Sequence, residues 1–220
     1  MSEWWTYRLS DFLLFSPRTY YRLFELYNAD IWPAQIATLA LGVAILVLLR
    51  RGEVWRGQVV AAVLGVCWLW IAWAFHGDRY AAINWAATYV AVGFAVEGLL
   101  LVWAGLVRDR MRSPTGGQGM DRVGLAIVLF ALVGQPLIGP VVGRAWSQVE
   151  IFGVAPDPTA VATLGVLLCT AGRAFWLLAA LPIAWCVVTG ATLWTMGSVD
   201  ALVAPLVAVV CVIWRIWRQR

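Results

Sequence analysis

A chain of 220 residues that is 62% hydrophobic and 13% charged has too little polar surface to cover a water-soluble globule, since ordinary soluble domains run at about 45–50% apolar and about 25% charged residues. Its net charge of +4 comes wholly from arginine, the sequence having no lysine. The arginines sit between apolar runs and are not laid out with aromatics as a strand-binding groove requires, so a nucleic-acid partner is excluded and the lipid bilayer is the expected surrounding.

The fold class expected is all-α: a polytopic transmembrane helix bundle of about seven spans, six being possible, with an N-terminal amphipathic interfacial helix. Residues 1–30 form the interfacial segment and residues 31–220 the bundle. Ser16-Pro17 is a helix start, and Tyr20, Leu23, Phe24 and Tyr27 then recur at helical spacing. Trp4, Trp5 and Tyr7 suit anchoring at headgroup depth. The start MSEWWTYRL has no apolar core before a small-residue cleavage site, so no cleavable signal peptide is expected.

The spans follow in order: 31–49, stopped by Arg50-Arg51; 57–75, closed by His76-Gly77-Asp78-Arg79; and 80–107, with Glu97 well inside. A polar linker at 108–122 contains SPTGGQG. Span 123–142 carries Gln135-Pro136 and Gly139-Pro140, which should kink it. Span 158–172 is 15 residues, about 22 Å at 1.5 Å per residue, short of a hydrocarbon core of roughly 30 Å. It follows Pro156-Asp157-Pro158 and reads as a broken-backbone crossing or a re-entrant helix around which the others are organised. Spans 174–196, with Pro182 inside, and 201–213 complete the set. Eleven arginines fall on the side of the C-terminal tail and five on the other, which places the C-terminus in the cytoplasm of a bacterial inner membrane.

Five polar residues are the ligand-binding candidates: His76, Asn84, Glu97, Gln135 and Asp157. An ionised Glu97 at a helix centre costs about 2.5–3.5 kcal/mol, so it is either a proton- or cation-responsive group or a protonated acid bonded between helices. His76 reads as an interfacial histidine satisfied by loop groups, with Asn84 one turn into the next span and able to bond across to it. Gln135 stands ready to satisfy a carbonyl freed by Pro136. Asp157 either caps the helix that begins at Pro158 or belongs to unwound backbone lining a cavity. Gly139 and Gly143 make one GxxxG, a weak sign of helix contact. Fifteen tryptophans exceed interfacial needs if Trp68, Trp70 and Trp185 lie deep, where they pack helices.

Cys67, Cys169, Cys186 and Cys211 stand isolated in apolar runs, with no CxxC and a single histidine, so neither zinc spacing nor a bis-histidine haem site is present and the cofactor stays unassigned. No GxSxG, Walker A or HExxH occurs, and the protein is not expected to be an enzyme. Two functions remain: a small permease or solute-binding membrane protein built on the five polar residues, or a non-catalytic accessory or assembly subunit whose partners are other subunits of a membrane complex. A membrane-embedded redox protein is the weakest.

Four stretches, LYNADIWPAQ at 26–35, FHGDRYAAINWAA at 75–87, FGVAPDPTAVATLG at 152–165 and LPIAWCVVTGA at 181–191, resemble in the same order an uncharacterised family of bacterial multi-pass inner-membrane proteins known only as a domain of unknown function. The resemblance implies location and fold but no activity. It also implies a cysteine where this chain has Asp157.

Overall fold

The computed structural model describes residues 15–50, 54–107, 121–170 and 174–219, all of it helix and connecting turns. Trp4, Trp5, Tyr7, Arg173 and the linker at 108–120 lie outside the described residues.

Helix α1 (Pro17–Asp30) begins as the sequence predicts. Proline occupies its first turn, and the Ser16 hydroxyl accepts the Thr19 N–H at 3.2 Å. It buries Tyr20, Leu23, Phe24 and Tyr27 and stands at 90° to α2 (Ala34–Leu49). The next helix, α3 (Val54–Trp70), does not stop at residue 75. It continues as a π-helix over Ile71–Arg79 and a 3₁₀ turn over Tyr80–Ala82. Then come α4 (Ala87–Val102), prolonged by a π-helical stretch to Val107, α5 (Arg122–Leu129) and α6 (Gln135–Val141). A π-helical turn, Phe130–Gly134, joins the last two. Pro136 has no N–H for the helix ladder, and this shift of register absorbs the mismatch. A 3₁₀ turn at Trp146–Gln148, α7 (Pro156–Thr170), α8 (Phe175–Thr195) and α9 (Val203–Trp217) finish the chain.

Four stretches are long and apolar enough to cross a membrane: Trp55–Ala82, Ala87–Val107, Arg122–Val141 and Phe175–Thr195. The bent pair of α1 and α2 makes up to five. Helices α7 and α9 are 15 residues each and fall below that length. The firm count is therefore lower than the seven expected.

The α3–α4 and α5–α9 pairs run antiparallel. Gly65 and Gly105 of the α3–α4 pair meet Gly98 and Ala61, and Asp121 at the start of α5 is bonded by Trp214 and Arg218 at the end of α9. Asp121 also caps α5 by accepting the Gly124 N–H at 3.0 Å. Helix α5 also crosses α7 closely, backbone to backbone: a Cβ on Gly165 would sit 2.7 Å from the Gly124 carbonyl oxygen. The Gly139–Gly143 spacing makes no such contact, because Gly143 lies past the helix end at φ 89° with open space around it.

Helix α7 is the axis of the molecule. Every one of its residues is buried, under α2, α3, α5, α8 and α9. Among the described residues the exposed tryptophans are Trp32, Trp55, Trp73, Trp85, Trp146, Trp176, Trp194 and Trp217, most of them near helix ends.

Candidate functional site

The approach to α7 is a tight turn over residues 151–155. Gly153 takes φ 83° there, a left-handed conformation in which its missing Cβ would lie 2.8 Å from Thr38. The turn is held by hydroxyls: Gly153 N–H donates to Thr159 Oγ1 at 2.8 Å, Thr159 Oγ1 donates to the Ala155 carbonyl at 2.7 Å, and the Tyr27 hydroxyl donates to the Val154 carbonyl at 3.0 Å. Trp70 Nε1 donates in turn to that Tyr27 hydroxyl. Further along, Thr163 Oγ1 accepts from Trp68 Nε1 at 2.9 Å.

Thr159 therefore serves the helix start, and the Asp157 side chain is free for another task. Its carboxylate crosses to α8, where Oδ1 accepts from Trp185 Nε1 at 2.7 Å and Oδ2 from Thr189 Oγ1 at 2.8 Å. Residues 185 and 189 are one turn apart on a helix face, so they present two donors to one carboxylate. The backbone at 156–158 is regular helix rather than unwound. Neither the cap nor the broken backbone expected at Asp157 is formed.

Asp157 also borders a small cavity of about 30 Å³ lined by Gln135, Arg144, Glu150 and Asp200 among others. Arg144 pairs with Asp200, which accepts from the Ser198 hydroxyl as well, and its guanidinium lies 5.0 Å from the centre of the Tyr21 ring. Three polar atoms lining this space are shut off from solvent without a hydrogen-bond partner: Glu150 Oε2, Gln135 Oε1 and Arg144 Nε. Two acceptors and one donor are the complement of a single water, and the space is large enough for one.

The electrostatics follow from this crowding. Burial pushes the Glu150 carboxyl well above its ordinary range, Asp157 adds to that push, and Arg144 works against it. For Arg144, burial opposes the charged form, but Glu150 and Asp200 outweigh it and raise the guanidinium. The Tyr20 hydroxyl is raised by burial first and then by Glu150 and Asp157. Three carboxyls thus face one guanidinium at the mouth of an apolar bundle. The charge can be balanced by holding a proton.

Outside lies a much wider groove of about 910 Å³ between α1 and residues 78–83, bordered by Arg18, Arg22 and Arg79. Gln148 lines both this groove and the inner cavity, so the groove adjoins the carboxyl cluster.

The five sequence candidates separate. Asp157 and Gln135 share the cavity. The π-helical continuation of α3 carries His76 inward, so it is fully buried rather than interfacial. Its ring centre lies 4.4 Å from that of Phe94 and 5.0 Å from that of Trp185, and neither ring nitrogen has a partner. His76 and Asp157 thus touch the same indole. Asn84 uses its Oδ1 on the Ala86 N–H at 3.0 Å and makes no bond to His76. Glu97 is buried on α4 with an unpartnered Oε1, away from the cavity.

Glu150, Arg144, Asp200, Trp185 and Thr189 were not foreseen as site residues. The signal for Trp185 and Thr189 was their four-residue spacing inside LPIAWCVVTGA. Glu150 was marked only by being an acid two residues before the FG of the central stretch. No group of three His, Cys, Asp or Glu side chains able to hold a metal ion occurs among the described residues.

Residues 18–220 match the model of DUF6064, described as a family of unknown function. No curated protein and no solved structure matches the chain.

Proposed function

The chain belongs to DUF6064, and from that premise we propose that it is a seven-crossing protein of a bacterial inner membrane, a small permease-type protein that takes up protons at the Glu150–Asp157 cluster. The crossings are α2, α3 with its continuation, α4, the α5–α6 pair, α7, α8 and α9, with α1 lying in the headgroup region. Helix α7 is too short to match a bilayer, but protein shields it on all sides, so no lipid match is needed. The arginine-rich end, with Arg50, Arg56, Arg122, Arg215 and Arg218, faces the cytoplasm together with the C-terminus. The carboxyl cluster then opens toward the opposite side through the wide groove.

The observation that carries this reading is the unpartnered Glu150 Oε2 beside Asp157 in a cavity with room for a water. Such a space is too small for an organic solute, and the Arg144 guanidinium on its wall repels a metal cation. A proton needs neither room nor a full coordination shell. Asp157 lies within a crossing, where carboxyls serve proton relays, and Glu150 stands at its entrance. A transported solute is left to the wider groove.

Reconstitution tests it. Proteoliposomes carrying a lumenal pH dye should acidify after an external acid pulse faster than empty liposomes, and Glu150→Gln should abolish the difference. Equal rates for wild type, Glu150→Gln and empty liposomes refute proton uptake. The rival reading, an accessory subunit, rests on the tryptophan-rich surface, the amphipathic N-terminal helix and the lack of a complete reactive constellation in the sequence; the rings exposed near helix ends are also accounted for by interfacial belts.

A further inference from the structure

Beside the tie from Asp121 to Trp214 and Arg218 at the arginine-rich end, α5 and α9 border an open furrow of about 430 Å³. Its walls are Val123, Ala126, Ile127 and Phe130 from α5 and Val207 and Val210 from α9, and the charged residue that borders it is Arg122. We propose that this furrow is a binding site for an anionic phospholipid, with one acyl chain along the valine and isoleucine walls and the phosphate at Arg122.

Charge complementarity selects the occupant. Among the described residues, Arg122, Arg215 and Arg218 gather at this end with one buried carboxylate, Asp121, and Arg215 lies over the Phe175 ring. That carboxylate is committed to Arg218, to Trp214 Nε1 at 3.1 Å and to the Gly124 N–H at 3.0 Å. Arg122 is exposed and has no ion pair among the described residues. An arginine at the mouth of an apolar groove between helices offers a fork for phosphate oxygens where the headgroup sits. Trp217, also exposed at this end, lies at the depth where indoles accompany headgroups. A zwitterionic lipid would bring its own cation against the same cluster. This inference rests on the membrane reading and not on the proton site, so either can fail alone.

The test is native mass spectrometry of the purified full chain in mild detergent, titrated with phosphatidylglycerol or phosphatidylcholine of matched chain length. One phosphatidylglycerol should bind at least tenfold tighter than phosphatidylcholine. Arg122→Gln should reduce it to the phosphatidylcholine level, and Ala126→Phe, which fills the furrow, should remove both. Val210→Phe fills it from the other helix and keeps the test decisive if Ala126→Phe fails to fold. Equal binding of the two lipids overturns the proposal, as does undiminished phosphatidylglycerol binding by Arg122→Gln. Equal retention of chain-free glycerol phosphate also overturns it.

Discussion

Asp157 carries the tie between the central helix and α8, and substituting it separates charge from hydrogen bonding. In Asp157→Ala, the Trp185 indole N–H loses its acceptor in a buried site, and an unsatisfied buried donor costs about 1–3 kcal/mol. Thr189 recovers by turning its hydroxyl to the carbonyl one turn back, so only the indole is stranded. The void left by the carboxylate adds to the loss, while removal of a buried acid gives some back. The net expectation is a destabilisation of about 2–4 kcal/mol, in the range typical of broken buried networks. Asp157→Asn has the same shape: its carbonyl oxygen accepts from Trp185 and its amide donates to the Thr189 hydroxyl. It should stay within about 1 kcal/mol of wild type while removing the ionisable group. Unfolding in mixed micelles of mild detergent and dodecyl sulfate, followed by tryptophan fluorescence, measures both. An Asp157→Ala protein as stable as wild type refutes the reasoning, and so does an Asp157→Asn protein as unstable as Asp157→Ala.

Glu150 has its carboxyl raised by burial and Asp157, so the folded state holds a proton that the unfolded chain releases earlier. Its contribution to stability is complete at acid pH and is lost as pH rises from the ordinary carboxylate range through the raised folded value. Thermal midpoints across pH should show that fall in wild type and a flatter profile in Glu150→Gln; identical profiles contradict the assignment. Gly165→Val places side-chain atoms against the Gly124 carbonyl, where even a Cβ stands 2.7 Å away. It should destabilise by about 1–3 kcal/mol or more, against little change for Gly93→Ala, whose Cβ would meet Leu181 at an ordinary 3.5 Å, as the same micelle titration would show. Thr163→Val strands the Trp68 indole, fully buried and bonded at 2.9 Å. It should cost about 1–3 kcal/mol and shift the indole ring band in Raman spectra, whereas Thr192→Val on an exposed face should do neither.

The sequence made the organising stretch legible. FGVAPDPTAVATLG contains the only apolar helix flanked by two prolines and an acid, and it became the fully buried axis α7. The helix start at Ser16-Pro17 was equally readable, because capping is a local rule. What failed depended on register and on tertiary partners. His76 and the Gly-Asp-Arg after it look like a loop, yet the π-helical continuation of α3 turns His76 inward while Gly77 and Asp78 stay exposed, and no propensity scale marks a π-helix. Asp157 beside a proline looks like a cap, yet the helix already begins at Pro156, the Thr159 hydroxyl ties the turn before it, and the aspartate reaches 28 residues ahead in sequence to Trp185. Glu150, Arg144 and Asp200 read as loop charges, because nothing local says that loops at 144–155 and 198–200 close over the same helix end.

Infrared spectroscopy of carboxyl stretches in the detergent-solubilised protein, with aspartate and glutamate isotopically labelled in turn, tests the proton site most directly. A glutamic acid C=O component should persist at pH values where ordinary glutamates are ionised and be lost from Glu150→Gln, any contribution from the buried Glu97 remaining in both spectra. A spectrum with no protonated glutamic acid above the ordinary range, or one unchanged in Glu150→Gln, contradicts it.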